Sequence, residues 1–270
     1  MNLYGVDEIK LFKRLDSPKK IQDFLAFKIK HNPAKDGVEC RSPRMVLRTG
    51  KAHCMEGALL AAAILEFNGD KPLLMDLRST SDDLDHVVAL FKQFGRWGAI
   101  SKTNHAVLRY REPIHKTIRE LALSYFHEYF LDSGKKTLRE YSAPVDLRYF
   151  YPSILLNPLP NPPPSDYAKT SSDLRKGEGN RSSTYLSGKG ETATSPSFRR
   201  SDEALREVGL KRGPGGVINW RTTEKDLTEL PEYLDNAKHS KILSPAQIKN
   251  LRKADGIEIK AGKLTEWKNK

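Results

Sequence analysis

The run from Cys54 to Phe67 reads Cys-Met-Glu-Gly-Ala-Leu-Leu-Ala-Ala-Ala-Ile-Leu-Glu-Phe and stops at Asn68-Gly69. Alanine and leucine are strong helix formers, and a glycine just past the last turn is the usual helix stop. The run therefore predicts a helix that is apolar nearly all round. Such a helix has no solvent face and must be covered on every side. The rest of the fold has to supply that cover.

The flanking sequence offers candidates. Ser17-Pro18 opens a helix in which Ile21, Phe24, Leu25 and Ile29 recur at helical spacing, and His31-Asn32-Pro33 closes it. A loop through Cys40 and Pro43 leads to Thr49-Gly50-Lys51-Ala52-His53 and into the buried helix. Beyond it, strands are expected at 72–77, 84–91 and 96–101, the last two joined by Lys92-Gln93-Phe94-Gly95 as a hairpin. A fourth strand is expected at 105–110. An amphipathic helix over 117–131 ends at Ser133-Gly134. Helix, buried helix, antiparallel strands and helix in that order describe an α+β domain over residues 1–150.

Composition changes after residue 150. Residues 151–200 are rich in Pro, Ser and Gly, and Asn157 to Pro164 has the character of extended polyproline-like chain, so this stretch is expected to be a disordered linker. Residues 201–270 are expected to be a basic tail with short helices, opening at Ser201 and at Ser244-Pro245 and separated by the Gly/Pro breaker 211–216. Large apolar residues are sparse there, which argues against an independent core.

The net charge of +12 is spread along the chain rather than gathered in one block. It favours loose attraction to nucleic acid, anionic lipid or acidic proteins. No zinc finger, RNP-like aromatic pattern or Gly-x-x-Gly clamp accompanies it, so a nucleic-acid partner is a minor alternative. No stretch approaches the roughly 18 apolar residues of a membrane span, and residues 1–15 show no secretory h-region. Two cysteines are too few for a disulfide scaffold. A reduced, cytoplasmic setting is the expectation.

Chemistry concentrates around Cys54, in the first turn of the buried helix. Unpaired amides and the helix dipole favour an anion there, so a thiol at this place can ionise well below its free value of about 8.5. An imidazole close by would complete an activated nucleophile. His86, at the head of Asp85-His86-Val87-Val88-Ala89-Leu90-Phe91, is the candidate. On a strand His86, Val88 and Leu90 share one face, and Val87, Ala89 and Phe91 the other. Each residue alone has a bland alternative: a small buried thiol, a structural histidine.

Together, in order, they resemble the nucleophile region of the transglutaminase-like superfamily. The residues that carry the resemblance are Gly50-Lys-Ala-His-Cys54-Met-Glu-Gly with the helix to Gly69, then Asp85-His86, then a hairpin to Arg96-Trp97. It covers roughly residues 20–110. The resemblance implies a papain-like cysteine mechanism in which Cys54 attacks an amide or acyl carbonyl of a protein or peptide substrate. His86 would serve as general base and then acid, and amides near Cys54 as the oxyanion site. It calls for no cofactor and no metal.

One position departs from the family. The third member, usually an Asp four residues after the Trp, is here Ser101. A hydroxyl can accept an imidazole N–H but cannot stabilise imidazolium as a carboxylate does. Asn104 is a substitute by residue type, although its odd offset puts it on the opposite strand face. Asp82, Asp83 and Asp85 lie near His86 in sequence, with Asp85 expected to point away. The reading is thus a cysteine hydrolase or acyl transferase, with a catalytically impaired binding or interaction module of the same fold as the alternative.

Lesser features complete the inventory. His53 suits capping or packing, with contact to a substrate oxygen as the functional option. Glu56 suits the helix dipole. His53, Cys54, His86 and His105 match no metal-ligand spacing. Arg109, Arg111, Lys135 and Lys136 are candidates for a basic rim, and Cys40 is expected to be a loop thiol without catalytic role.

Overall fold

The computed structural model describes residues 3–32, 40–150 and 219–264, which fall in one unit. The linker 151–200, the helix expected at Ser201 and the breaker at 211–216 lie outside them. Among the described residues no helix is long and apolar enough to cross a membrane.

The buried helix forms as its composition demands. It spans Cys54–Phe67, here α4, and every residue from Glu56 to Leu65 is buried. Before it come α1 (Val6–Arg14), α2 (Pro18–Phe27), β1 (Lys30–His31), α3 (Pro43–Thr49) and β2 (Lys51–Ala52). Strands β1 and β2 pair in parallel, which sets the lead-in to α4 beside the end of α2. Helices α1 and α3 are additional to those expected; α1 repeats Val6, Ile9 and Phe12 at helical spacing, and both helices carry caps. Glu8 Oε2 accepts the Gly5 N–H at 2.7 Å at the start of α1, and Ser42 Oγ accepts the Met45 N–H at the start of α3, ahead of Pro43.

Strands β3 (Leu73–Arg78), β4 (His86–Gln93) and β5 (Arg96–Ile100) are antiparallel neighbours near the expected positions. The β4–β5 hairpin turns on Phe94 and Gly95, both at positive φ (51° and 73°), the backbone of a two-residue turn that matches strand twist. The fourth strand lies later than expected. Residues 106–108 form a 3-10 turn, and β6 (Arg111–His115) follows. Pro113 sits within it, which a strand tolerates at a sheet edge, and β6 is the edge. The helix expected over 117–131 is shorter: α5 covers Ile118–Leu123, and a 3-10 turn takes Phe126–Glu128. Ser124 ends α5, its Oγ donating to Leu121 O and accepting from Arg111 Nε.

The C-terminal segment corrects the sequence reading. Residues 219–264 are not an appended tail where described: they complete the domain. Strand β7 (Glu140–Ser142) pairs with β3 on one side and with β9 (His239–Lys241) on the other, while β8 (Val145–Asp146) pairs with β3 further along. The sheet runs β6-β5-β4-β3-β7-β9. Short helices α6 (Leu230–Asp235), α7 (Pro245–Lys249) and α8 (Gly256–Leu264) flank β9. The helix expected to open at Ser244-Pro245 is α7, and a capping box starts it, with Gln247 returning its side chain to the Ser244 N–H.

Both faces of this mixed α and β domain are covered. Leu74, Val87, Ala89, Phe91 and Ile100 pack with α4, α1, α2 and Trp220 on one side. Leu73, Met75, Leu77, Val88, Leu90 and Trp97 pack with Leu121, Tyr125 and Phe126 on the other. The alternation read for β4 holds, and burial on two faces explains why β3 and β4 read as nearly unbroken apolar runs.

Candidate active site

Helix α4 opens at the end of the sheet where β4 begins, so Cys54 meets the backbone of residues 85–87. Its Sγ lies 4.0 Å from the carbonyl oxygen of Asp85. The thiol is partly exposed. Burial pushes it up, but hydrogen-bonding contacts with His53 and His86, the His86 charge and the Val87 amide outweigh that and hold it well below the ordinary thiol value. The two residues singled out as nucleophile and base are therefore brought together.

His86 reaches the thiol from the end of its strand. By register it shares the Val88 and Leu90 face, away from α4, and the contact is possible because it is the first residue of β4 at the sheet edge of the helix N-terminus. Its Nε2 lies 2.6 Å from Ser101 Oγ, which leaves Nδ1 for the thiol. Ser101 stands two residues diagonally across from His86 on β4's neighbour, so the two share a face.

The other substitutes do not reach the ring. Asn104 lies half-buried in the bend beyond β5, and the Nε2 position it would serve is taken by Ser101. Asp85 turns back to its loop and accepts from Ser79 N at 2.7 Å. Asp82 pairs with Lys135 at 2.8 Å, and Asp83 accepts from Thr137 Oγ1. No basic rim forms from the residues proposed for it. Arg111 packs over Tyr125 at 3.9 Å, Arg109 over Phe27 at 5.5 Å, and Lys136 is buried 3.7 Å from Glu258. Cys40 is fully buried, 3.6 Å from Met55 Sδ, and burial raises its thiol.

Sequence reasoning missed the frame behind Ser101. Gln22, buried in α2, donates to Ser101 O at 2.9 Å and accepts from Ser101 N at 3.0 Å. One side-chain amide thus fixes both backbone groups of the residue that holds the imidazole. The signal available was a polar residue between Ile21 and Leu25 on an otherwise apolar helix face. Lys102 follows, buried, with Nζ donating to Ile29 O at 2.7 Å; burial, then the Arg109 charge, pushes it down to about 8. Its side chain crosses α4 at Gly57, where a Cβ would stand 2.2 Å from Lys102 Cβ. That close approach explains the glycine inside a helix that otherwise avoids it.

Glu56, three residues into α4, is fully buried. Oε2 accepts the His53 N–H at 2.9 Å and Oε1 the Arg41 N–H at 3.0 Å. Among the described residues no three His, Cys, Asp or Glu side chains converge as a metal site. An open surface depression bordered by Arg41, Met45, Thr49, Lys51, Glu224 and Asp226 is not lined by Cys54 or His86.

No protein-family model matches this chain, and no curated protein matches it.

Proposed function

We propose that the protein is a transglutaminase-like cysteine hydrolase or acyl transferase acting on an amide or peptide bond. The observation that carries the reading is an arrangement: Cys54 opens a buried helix against the start of β4, its Sγ 4.0 Å from Asp85 O, and the ring of the next residue, His86, is held by Ser101 at 2.6 Å. Nucleophile, base and orienting group stand in the order such chemistry needs.

In this reading the Cys54 thiolate adds to the carbonyl carbon, and the carbonyl oxygen takes up the negative charge near the free amides of the α4 start. His86 gives its proton to the departing amine, the C–N bond breaks, and a thioester to Cys54 remains. His86 then takes a proton from water or from an acceptor amine, which displaces the thiolate. Water gives hydrolysis and an amine gives transfer. Ser101 fixes the ring but adds no charge, so imidazolium is less stabilised than beside a carboxylate.

That absent carboxylate supports a second reading, the same fold used as a binding or interaction module without turnover. Alkylation of Cys54 by iodoacetamide from about pH 4 to 10, in wild type and His86→Ala, separates the two. An activated pair gives a rate already high near pH 6 in wild type, lowered or shifted in the variant. Peptide or amide turnover that disappears in Cys54→Ala then completes the case. A single rise near about 8.5 in both proteins removes the enzyme reading.

A further inference from the structure

The carboxylate absent behind His86 has a counterpart on the other side of the thiol. His53 immediately precedes Cys54 at the helix cap, and its ring, like that of His86, favours the ionised thiol. Its Nε2 lies 3.6 Å from Glu56 Oε2, an ion-pair distance, and both side chains are buried. Glu56 is fixed in turn by two backbone amides, with Arg41 Nε at 3.8 Å. A fully buried carboxylate is tolerated only where it is paired and hydrogen-bonded, and these contacts meet that condition.

A carboxylate two residues along the helix from a thiolate would by itself oppose ionisation of the sulfur. The His53 ring stands beside both groups and changes the sign. With a proton on it, the row of carboxylate, imidazolium and thiolate alternates in charge, and each neighbour favours the next.

We infer that His53, backed by the buried carboxylate of Glu56, is a second catalytic imidazole on Cys54 and supplies the carboxylate-supported positive charge that Ser101 does not give His86. The inference rests on the reading of Cys54 as the nucleophile. His86 remains the group on the strand side, held for proton transfer by Ser101. His53 acts on the sulfur as a standing charge. The other titratable groups around the thiol are His31 of β1, with Lys102 beside it, and Cys40, Tyr129 and Asp85. None of these carries a carboxylate-backed imidazole.

Two measurements test this. In the first, Cys54 alkylation is followed by peptide-resolved mass spectrometry across pH in wild type, His53→Asn, His86→Ala and the double variant. Asparagine is a good helix cap, so it keeps a capping role and removes only the charge. His53→Asn is expected to move the midpoint up by about one unit, lowering the rate near pH 6 about 10-fold while the high-pH plateau stays. In the double variant the midpoint returns to about 8.5. An unmoved midpoint, or a loss that is equal at every pH, overturns the inference. A shift only in His86→Ala leaves the proposed function standing without His53. A shift only in His53→Asn removes His86 from the proposed pair and keeps the inference.

The second measurement needs no variant at His53. Histidine NMR on the wild-type chain follows its imidazole before and after Cys54 is capped by iodoacetamide. Turning the thiolate into a neutral thioether is expected to lower the His53 midpoint by about one unit. An unchanged His53 titration overturns the inference even if every substitution at that position unfolds the protein.

Discussion

Residues 54–101 and residues 219–264 serve the same site in opposite ways. The first segment carries the reacting groups on elements whose patterns are complete in themselves: an apolar helix, three largely apolar strands, a two-residue turn. The second carries no reacting group, yet it closes the cover that the helix requires. Trp220 is 1% exposed and donates from Nε1 to Leu147 O at 3.0 Å. Arg221 lies over Trp220 at 4.4 Å and forms a two-pronged pair with Glu66 at the far end of α4. Leu227 N donates to Cys40 O at 2.8 Å, just ahead of α3. The nucleophile helix is positioned by residues more than a hundred places away in the chain. A site can be compact in sequence while its support is not.

If that comparison is right, the largest effect belongs to removing the second segment. A chain ending at residue 218 should lose its cooperative unfolding transition in urea, because the core that Trp220, Leu227, Leu230 and Leu234 complete would be left open to water. A sharp transition with an unchanged midpoint would show that residues 1–150 carry the core alone. Next in size is Trp220→Ala. A fully buried aromatic costs about 3–5 kcal/mol on truncation, and here an indole hydrogen bond goes with it. The drop should appear in urea midpoints measured with α4 intact by circular dichroism. A loss under about 1 kcal/mol would mean that the pocket collapses around the cavity.

What could be read from the sequence follows the same division. Cys54–Phe67 is legible because nothing but a buried helix suits that composition; His86 is a candidate from its place at the head of an apolar strand, and Ser101 only through the resemblance to the transglutaminase-like pattern. The β4 faces follow from a period of two. Gln22 and Glu56 were not readable as site residues, because their value lies in partners outside their own elements: the backbone of Ser101 for one, Arg41 for the other. Strand β9 was hidden for a similar reason. Its three residues, His239-Ser240-Lys241, are polar and become a strand because β7 offers them a ladder. Strand β6 was misplaced because Pro113 reads as a breaker unless the strand is known to be an edge.

The smallest effect sharpens the comparison at the point where the two segments meet inside the sheet. Asp76 of β3 is 3% exposed, and His239 Nε2 of β9 lies 3.1 Å from its Oδ2, with His239 Nδ1 2.8 Å from Ala237 O. Burial pushes the Asp76 carboxyl up to about 6, and the hydrogen bond from His239 only partly offsets it. The folded protein then holds this proton more tightly than the unfolded chain, whose value is the ordinary 3.8. Stability from this group is full below about 4 and is lost as pH rises towards about 6, a change on the order of 2–3 kcal/mol. Exposed Asp82 and half-buried Glu258, held down to about 2 chiefly by Lys135 and Arg252, push the other way at lower pH. Asp76→Asn removes only the first effect and keeps an acceptor for His239. The variant should therefore gain on wild type between pH 4.5 and 7 when urea midpoints are compared at the two values. Parallel curves would mean that the carboxylate stays charged throughout, and that the joint between the segments is an ion pair instead of a protonated acid.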